Sequence, residues 1–171
     1  MRKLILGAIL LFSTVCFSQE ICKLTDEFTD KVIYTVDKGI ILKESTTKAF
    51  RLDAYLKEYK GKVIFSELMV KAVGIGCIEK ESFLTIIFDN GEKASFIGWN
   101  KFNCDGNIWA SLTVKGDELL RTQKIKKLQV NNSSNYKTIT VTVPNEEQDF
   151  FINLYKNLEI SNANGFKNCS K

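Results

Sequence analysis

The side chains able to do chemistry in this chain are few in kind. It holds five cysteines, a full complement of carboxylates and no histidine. Histidine is the usual general base near neutral pH, the activator of serine and cysteine nucleophiles, and the commonest transition-metal ligand, so its absence removes three roles at once. Catalysis would have to run on carboxylates, lysine or tyrosine, for instance on two carboxylates facing each other across a cleft. The acidic residues mostly stand singly in turns or alternate along strand-like runs, where a solvated carboxylate is the ordinary reading. The doublets Asp117-Glu118 and Glu146-Glu147 have helix-start explanations. Gly74-Ile75-Gly76 lacks the third glycine and the following helix of a phosphate loop. Asp105-Gly106-Asn107 lacks the ligand count of a calcium loop and reads as turn chemistry. No catalytic residue, metal site or cofactor is expected, and a binding protein is expected rather than an enzyme.

The cysteines carry the next argument, and it starts at the N-terminus. Arg2 and Lys3 precede an apolar run from Leu4 to Val15, and Cys16-Phe17-Ser18 offers small residues before a cut, the pattern of a secretory signal peptide over residues 1–18. The run is shorter than the roughly 20 residues a spanning helix needs. Val15 before Cys16 argues against a lipid-modified cysteine. Cleavage would leave residues 19–171, lowering the formal net charge from +4 to +2. That length suits one exported domain, near-neutral charge disfavours nucleic acid as a partner, and no later segment reads as a membrane span. The chain is thereby placed in the periplasm or outside the cell. Cys22, Cys77, Cys104 and Cys169 remain, an even number in an oxidising compartment. Cys77 and Cys104 flank one central hairpin and Cys22 and Cys169 lie near the two ends, so these two pairings are favoured among the three that four cysteines allow. Zinc is disfavoured because the cysteines lack the close spacing of a zinc site.

The elements that must position these residues are mostly strands. Phe83–Phe88 and Glu92–Trp99 are β-branched and aromatic runs around Asp89-Asn90-Gly91. A two-residue loop would set Asp89 against Glu92, so a three-residue loop with Gly91 left-handed is expected; it aligns Leu84, Ile86 and Phe88 with Ala94 and Phe96 on one face. Lys31–Val36 and Ile40–Lys43 read as a first hairpin, after a polar lead-in from Glu20 to Asp30. Phe50, Leu52, Ala54 and Leu56 alternate as a strand returning through Lys60-Gly61 into Val63–Val70. Ile108–Val114 alternates likewise, a single helical turn capped by Asp117 follows, and Lys124–Val130 and Tyr136–Val143 make two more strands. Asn145 and Gln148 have capping-box spacing for a helix over 146–160, whose apolar face is Phe150, Phe151, Leu154, Tyr155 and Leu158. The expected class is α+β: about eight mostly antiparallel strands in a meander, curled or closed to a degree left open, with the C-terminal amphipathic helix packed on them.

Lys124, Lys126 and Lys127 form the compact basic cluster. They suit a protected sheet edge or, as the sharper reading, a patch for a partner. Tyr34, Tyr55, Tyr59, Trp99 and Trp109 are scattered aromatics that such a surface would use. The expected function is therefore an exported interaction protein that offers a β-sheet surface to a protein partner in the envelope or medium. The alternative is a carrier of a small apolar ligand: in size, export and strand-then-helix order the chain resembles the lipocalins, a likeness that implies a closed barrel, although their Gly-x-Trp signature is absent from the first strand. From Phe83 to Leu158 the succession strand, Asp-Asn-Gly, strand, Cys-Asp-Gly, strand and aromatic-rich helix is similar to small exported bacterial proteins of unknown function, which implies no activity.

Overall fold

The computed structural model describes residues 20–45, 48–99 and 101–169; the expected leader over 1–18 lies outside them. The described strands are β1 (Ile21–Thr25), β2 (Val32–Val36), β3 (Ile40–Ser45), β4 (Lys48–Tyr59), β5 (Lys62–Ala72), β6 (Phe83–Phe88), β7 (Lys93–Ile97), β8 (Asn107–Ser111), β9 (Ile125–Asn131), β10 (Thr138–Thr142) and β11 (Lys167–Asn168). Helix α1 (Val114–Thr122) follows β8, and α2 (Phe150–Asn164) follows β10 after a short 3₁₀ turn at Asn145–Glu147. They form two four-stranded sheets, ordered β3-β4-β5-β8 and β10-β9-β6-β7, and a small sheet ordered β11-β1-β2. Every pairing is antiparallel except β1 with β11.

The central hairpin has the expected register. Leu84 lies opposite Phe96 and Ile86 opposite Ala94. Phe88 N–H donates to Glu92 O, and Gly91 takes a φ of +87°, so Asp89-Asn90-Gly91 is a three-residue loop. Leu84, Ile86, Phe88, Ala94 and Phe96 are all buried. The β4–β5 hairpin turns at Lys60-Gly61, with Tyr59 opposite Lys62. The period-two pattern of β4 buries Phe50, Leu52 and Ala54 and turns Arg51, Asp53 and Tyr55 outward.

Several expectations are corrected. Strands β2 and β3 do not pair with each other: β2 pairs with β1, and β3 with β4. Gly39 between them serves a crossing, because a Cβ there would meet Leu52 O at 2.5 Å. The polar lead-in contains β1, tied to β2 from Ile21↔Val36 to Thr25↔Val32. Strand β8 ends at Ser111, and Val114 opens a nine-residue helix capped by Thr113, whose hydroxyl accepts from Gly116 N–H at 3.1 Å. Asn145 and Gln148 do bond, Nε2 to Oδ1 at 3.0 Å, but within the 3₁₀ turn; α2 starts at Phe150 and continues past Ile160. Lys126 and Lys127 lie on β9, an interior strand between β10 and β6, so they guard no edge. Closure, which the sequence leaves open, does not occur: the sheets form no barrel, and the two larger ones are bridged between Gly98 and Ala110.

Helix α2 lies on β5 through Phe151, stacked on Phe65 at 5.6 Å, and Tyr155, edge-on to Phe65 at 5.7 Å. Its buried side chains are Phe150, Phe151, Leu154, Tyr155 and Leu158, the face expected from their spacing. They join the inner faces of both larger sheets in one continuous cluster. Tyr155 also pins α2 to α1. Its hydroxyl donates to Asp117 Oδ1, Arg121 Nε donates to Asp117 Oδ2 at 2.8 Å, and the Arg121 guanidinium sits 4.0 Å over the ring. Two disulfides complete the frame. Cys22–Cys169 holds β11 against β1 and spans 147 residues of sequence, and Cys77–Cys104 spans 27. Two intramolecular disulfides fit a non-reducing compartment. No described helix is long and apolar enough to cross a membrane.

Burial pushes the Tyr155 phenol well above its ordinary value, and the bond to Asp117 adds to the rise. The folded state therefore keeps this proton when the unfolded chain loses it, so stability present below about pH 10 declines as pH rises further. Denaturant unfolding between neutral pH and pH 11 should show that decline, and Tyr155→Phe should flatten it. For the bridges, chain entropy makes the loss on removing Cys22–Cys169 about 1.5 kcal/mol larger than on removing Cys77–Cys104, which paired Cys→Ser variants in denaturant would measure.

Candidate binding surface

Among the described residues, the outward side of the β3-β4-β5-β8 sheet is where three of the scattered aromatics converge. Its rows follow from register. Asp53, Met69 and Trp109 lie level across β4, β5 and β8, as do Tyr55, Glu67 and Ser111 in the next row. Tyr55 and Trp109 flank β5 on this face, and their large rings meet across it, with centroids 4.5 Å apart and planes tilted by 49°. Trp99 arrives from the other sheet. The bridge between Gly98 and Ala110 sets the chain beside β8, Trp99 N–H donates to Trp109 O at 2.9 Å, and the two indoles stand 6.2 Å apart. The result is a row, Tyr55–Trp109–Trp99, crossing the join between the two sheets.

This row is open at both ends. Trp99 is 55% exposed and Tyr55 38%, while Trp109 between them is half-buried. Ile97 and Phe102, on either side of Trp99 in the chain, are also exposed. Beside the row, Arg51 Nε donates to Asp53 Oδ2 at 2.7 Å. Asp53 raises the Arg51 pKa further by hydrogen bond and charge. Burial, and secondarily the Asp53 charge, pushes the Tyr55 phenol up, so it stays a neutral donor through the physiological range. The surface thus offers flat apolar rings with a hydroxyl, an indole N–H and an ion pair at its margin. That chemistry binds and orients; it contains no nucleophile with a base beside it.

The other expected site residues fall elsewhere. Tyr34 donates to Glu58 at 3.2 Å and packs on Phe166, and Tyr59 lies by Lys60 at the far end of the β4–β5 hairpin. Lys124 is paired with Asp149 at 3.0 Å, ahead of α2. Lys126 and Lys127 are exposed on β9, which β6 separates from the β7 end that carries Trp99, so the basic cluster and the aromatics are not brought together. Cys22, Cys77, Cys104 and Cys169 are all consumed in disulfides. Among the described residues, no cluster of three or more cysteine, aspartate or glutamate side chains is placed to hold a metal ion. Exposed Ile97 and Phe102 were not among the expected members. Phe102 had a signal, as the single aromatic in the polar stretch Lys101–Asn107.

No protein-family model, curated protein or solved structure matches the chain. The surface therefore has to be read from its own geometry.

That geometry separates the two tryptophans. Aqueous iodide should quench an exposed fraction of the indole emission, and Trp99→Phe should remove most of that fraction. Trp109→Phe, with the shielded ring lost, should leave it largely in place.

Proposed function

We propose that this chain is an exported, non-enzymatic binding protein that presents the outer side of the β3-β4-β5-β8 sheet to a protein partner in the envelope or medium. The observation that carries this reading is the row of Tyr55, Trp109 and Trp99, with Arg51 beside it. Trp, Tyr and Arg are the residue types that dominate protein-interface hot spots, because each combines large contact area with a polar tip. The leader-like residues 1–18 and the two disulfides support an exported setting. Absence of histidine supports a binding role over a catalytic one.

The carrier reading has less support. Its barrel is not formed, and large side chains, Phe50, Phe88, Phe96 and Phe151 among them, fill the core. An apolar fluorophore should accordingly gain no saturable emission on titration with the folded protein.

The binding reading is tested with the mature, oxidised protein immobilised and challenged with envelope extract and culture medium. A partner retained by the wild type should be lost by the double variant Tyr55→Ala, Trp99→Ala, with affinity falling about tenfold or more and the melting temperature little changed. Equal retention by wild type and double variant would place the contact elsewhere and remove the basis of the proposal.

A further inference from the structure

Interior placement of the lysine-bearing β9 leaves β10 as the true margin of the β10-β9-β6-β7 sheet. The hydrogen bonds to β9 decide which of its backbone groups remain. Asn132 N–H donates to Lys137 O, Val143 N–H donates to Lys126 O, and between them the register runs from Thr138↔Asn131 to Thr142↔Lys127. Antiparallel alternation then turns the N–H and C=O of Ile139 and Val141 toward β9 and those of Thr138, Thr140 and Thr142 away from it. Among the described residues none takes up these outward groups.

Three of the other margins are managed. Strand β7 is bridged to β8 through Gly98 and Ala110, β3 carries a register shift between Lys43 and Ser45, and β2 runs alongside β4. Strand β10 carries no charge, no proline and no bulge: it reads Thr-Ile-Thr-Val-Thr, with the threonines exposed and Ile139 and Val141 buried. A bare edge of this kind is a template for another strand.

We propose that the occupant is a second copy of this chain, joined by antiparallel pairing of β10 with β10 about a two-fold axis at Thr140. The sequence is close to a palindrome, and that is what selects the partner. About this axis Thr138 meets Thr142 of the second copy, Thr140 meets Thr140, and Ile139 lies beside Val141. These are like-with-like β-branched cross-strand pairs, and every outward N–H finds a carbonyl. The same register brings Tyr136, 90% exposed in the single chain, level with exposed Pro144 of the second copy. The contact is isologous, so it uses each edge once and closes at the dimer. It lies at the opposite margin of this sheet from β7, whose end carries Trp99, and it stands or falls independently of the partner-binding surface.

A single short strand pair buries less than a standard interface, so the dimer should be weak, with a dissociation constant of about 10 µM to 1 mM. Sedimentation equilibrium of the oxidised mature protein up to about 1 mM should show reversible monomer and dimer. Thr140→Lys sets two ammonium groups against each other at the axis and should weaken the dimer about tenfold or more. Thr140→Pro removes an N–H that only the second copy uses; it should weaken the dimer about thirtyfold while the monomer keeps its melting temperature, as edge strands tolerate proline there. Trp99→Ala should leave dimerisation unchanged. A wild type that stays monomeric throughout, or a dimer that both Thr140 variants form at full strength, would overturn the proposal. Should Thr140→Pro fail to fold, Thr140→Lys decides alone.

Discussion

Everything in this molecule turns on the seam at Gly98 and Ala110. There the β7 end of one four-stranded sheet is held against the β8 edge of the other, by the Gly98–Ala110 bridge and by Trp99 N–H on Trp109 O, while Gly98 N–H reaches Ser82 O at 2.8 Å. The seam aligns the buried faces so that both sheets contribute to one continuous apolar cluster. On the outer side, the same backbone contact delivers Trp99 to Trp109. Core and candidate surface are thus two consequences of one local pairing.

Packing of the two helices holds the arrangement without closure into a barrel. Phe65, Phe151 and Tyr155 lock α2 onto β5, and α2 is tied to α1 through Asp117 and Arg121. Full burial of each large apolar side chain contributes about 1.5 to 3 kcal/mol, so this cluster outweighs the exposed ion pairs, whose value is near zero to about 1 kcal/mol each. The helices meet the apolar need that barrel closure would otherwise serve. Loops near the seam are held by polar contacts: Asn132, buried, donates to Ile75 O at 3.2 Å and to Cys77 O at 2.8 Å, next to the Cys77–Cys104 bridge.

What the amino-acid sequence made legible was local. The loop at Asp89-Asn90-Gly91 could be read because a shorter turn would oppose two carboxylates, and the C-terminal apolar face because its spacing fits a helix. Both disulfide partners could be read from position relative to that hairpin and to the chain ends. Non-local pairing was out of reach. Ile40 follows Val36 so closely that a hairpin is the natural inference, yet the crossing at Gly39 sends the two strands to different sheets. Lys126 and Lys127 look like edge lysines until strand order shows β10 outside them. Helix α1 reads as a single turn in the sequence because Val114 continues the alternation of β8 and Gly116 resembles a turn. Of the candidate surface, Tyr55, Trp99 and Trp109 were individually visible; their grouping depends on the seam, and nothing in the spacing of residues 55, 99 and 109 encodes it.

The most direct test of the account is the contact between ring protons across the seam. In nuclear Overhauser spectra of the oxidised protein, Trp109 should show cross-peaks to the Tyr55 ring and to the Trp99 indole, as centroid separations of 4.5 and 6.2 Å require. Cross-peaks from Trp109 to Tyr55 with none to Trp99 would mean that the two sheets do not meet at β7 and β8, and the description of both core and surface would be wrong.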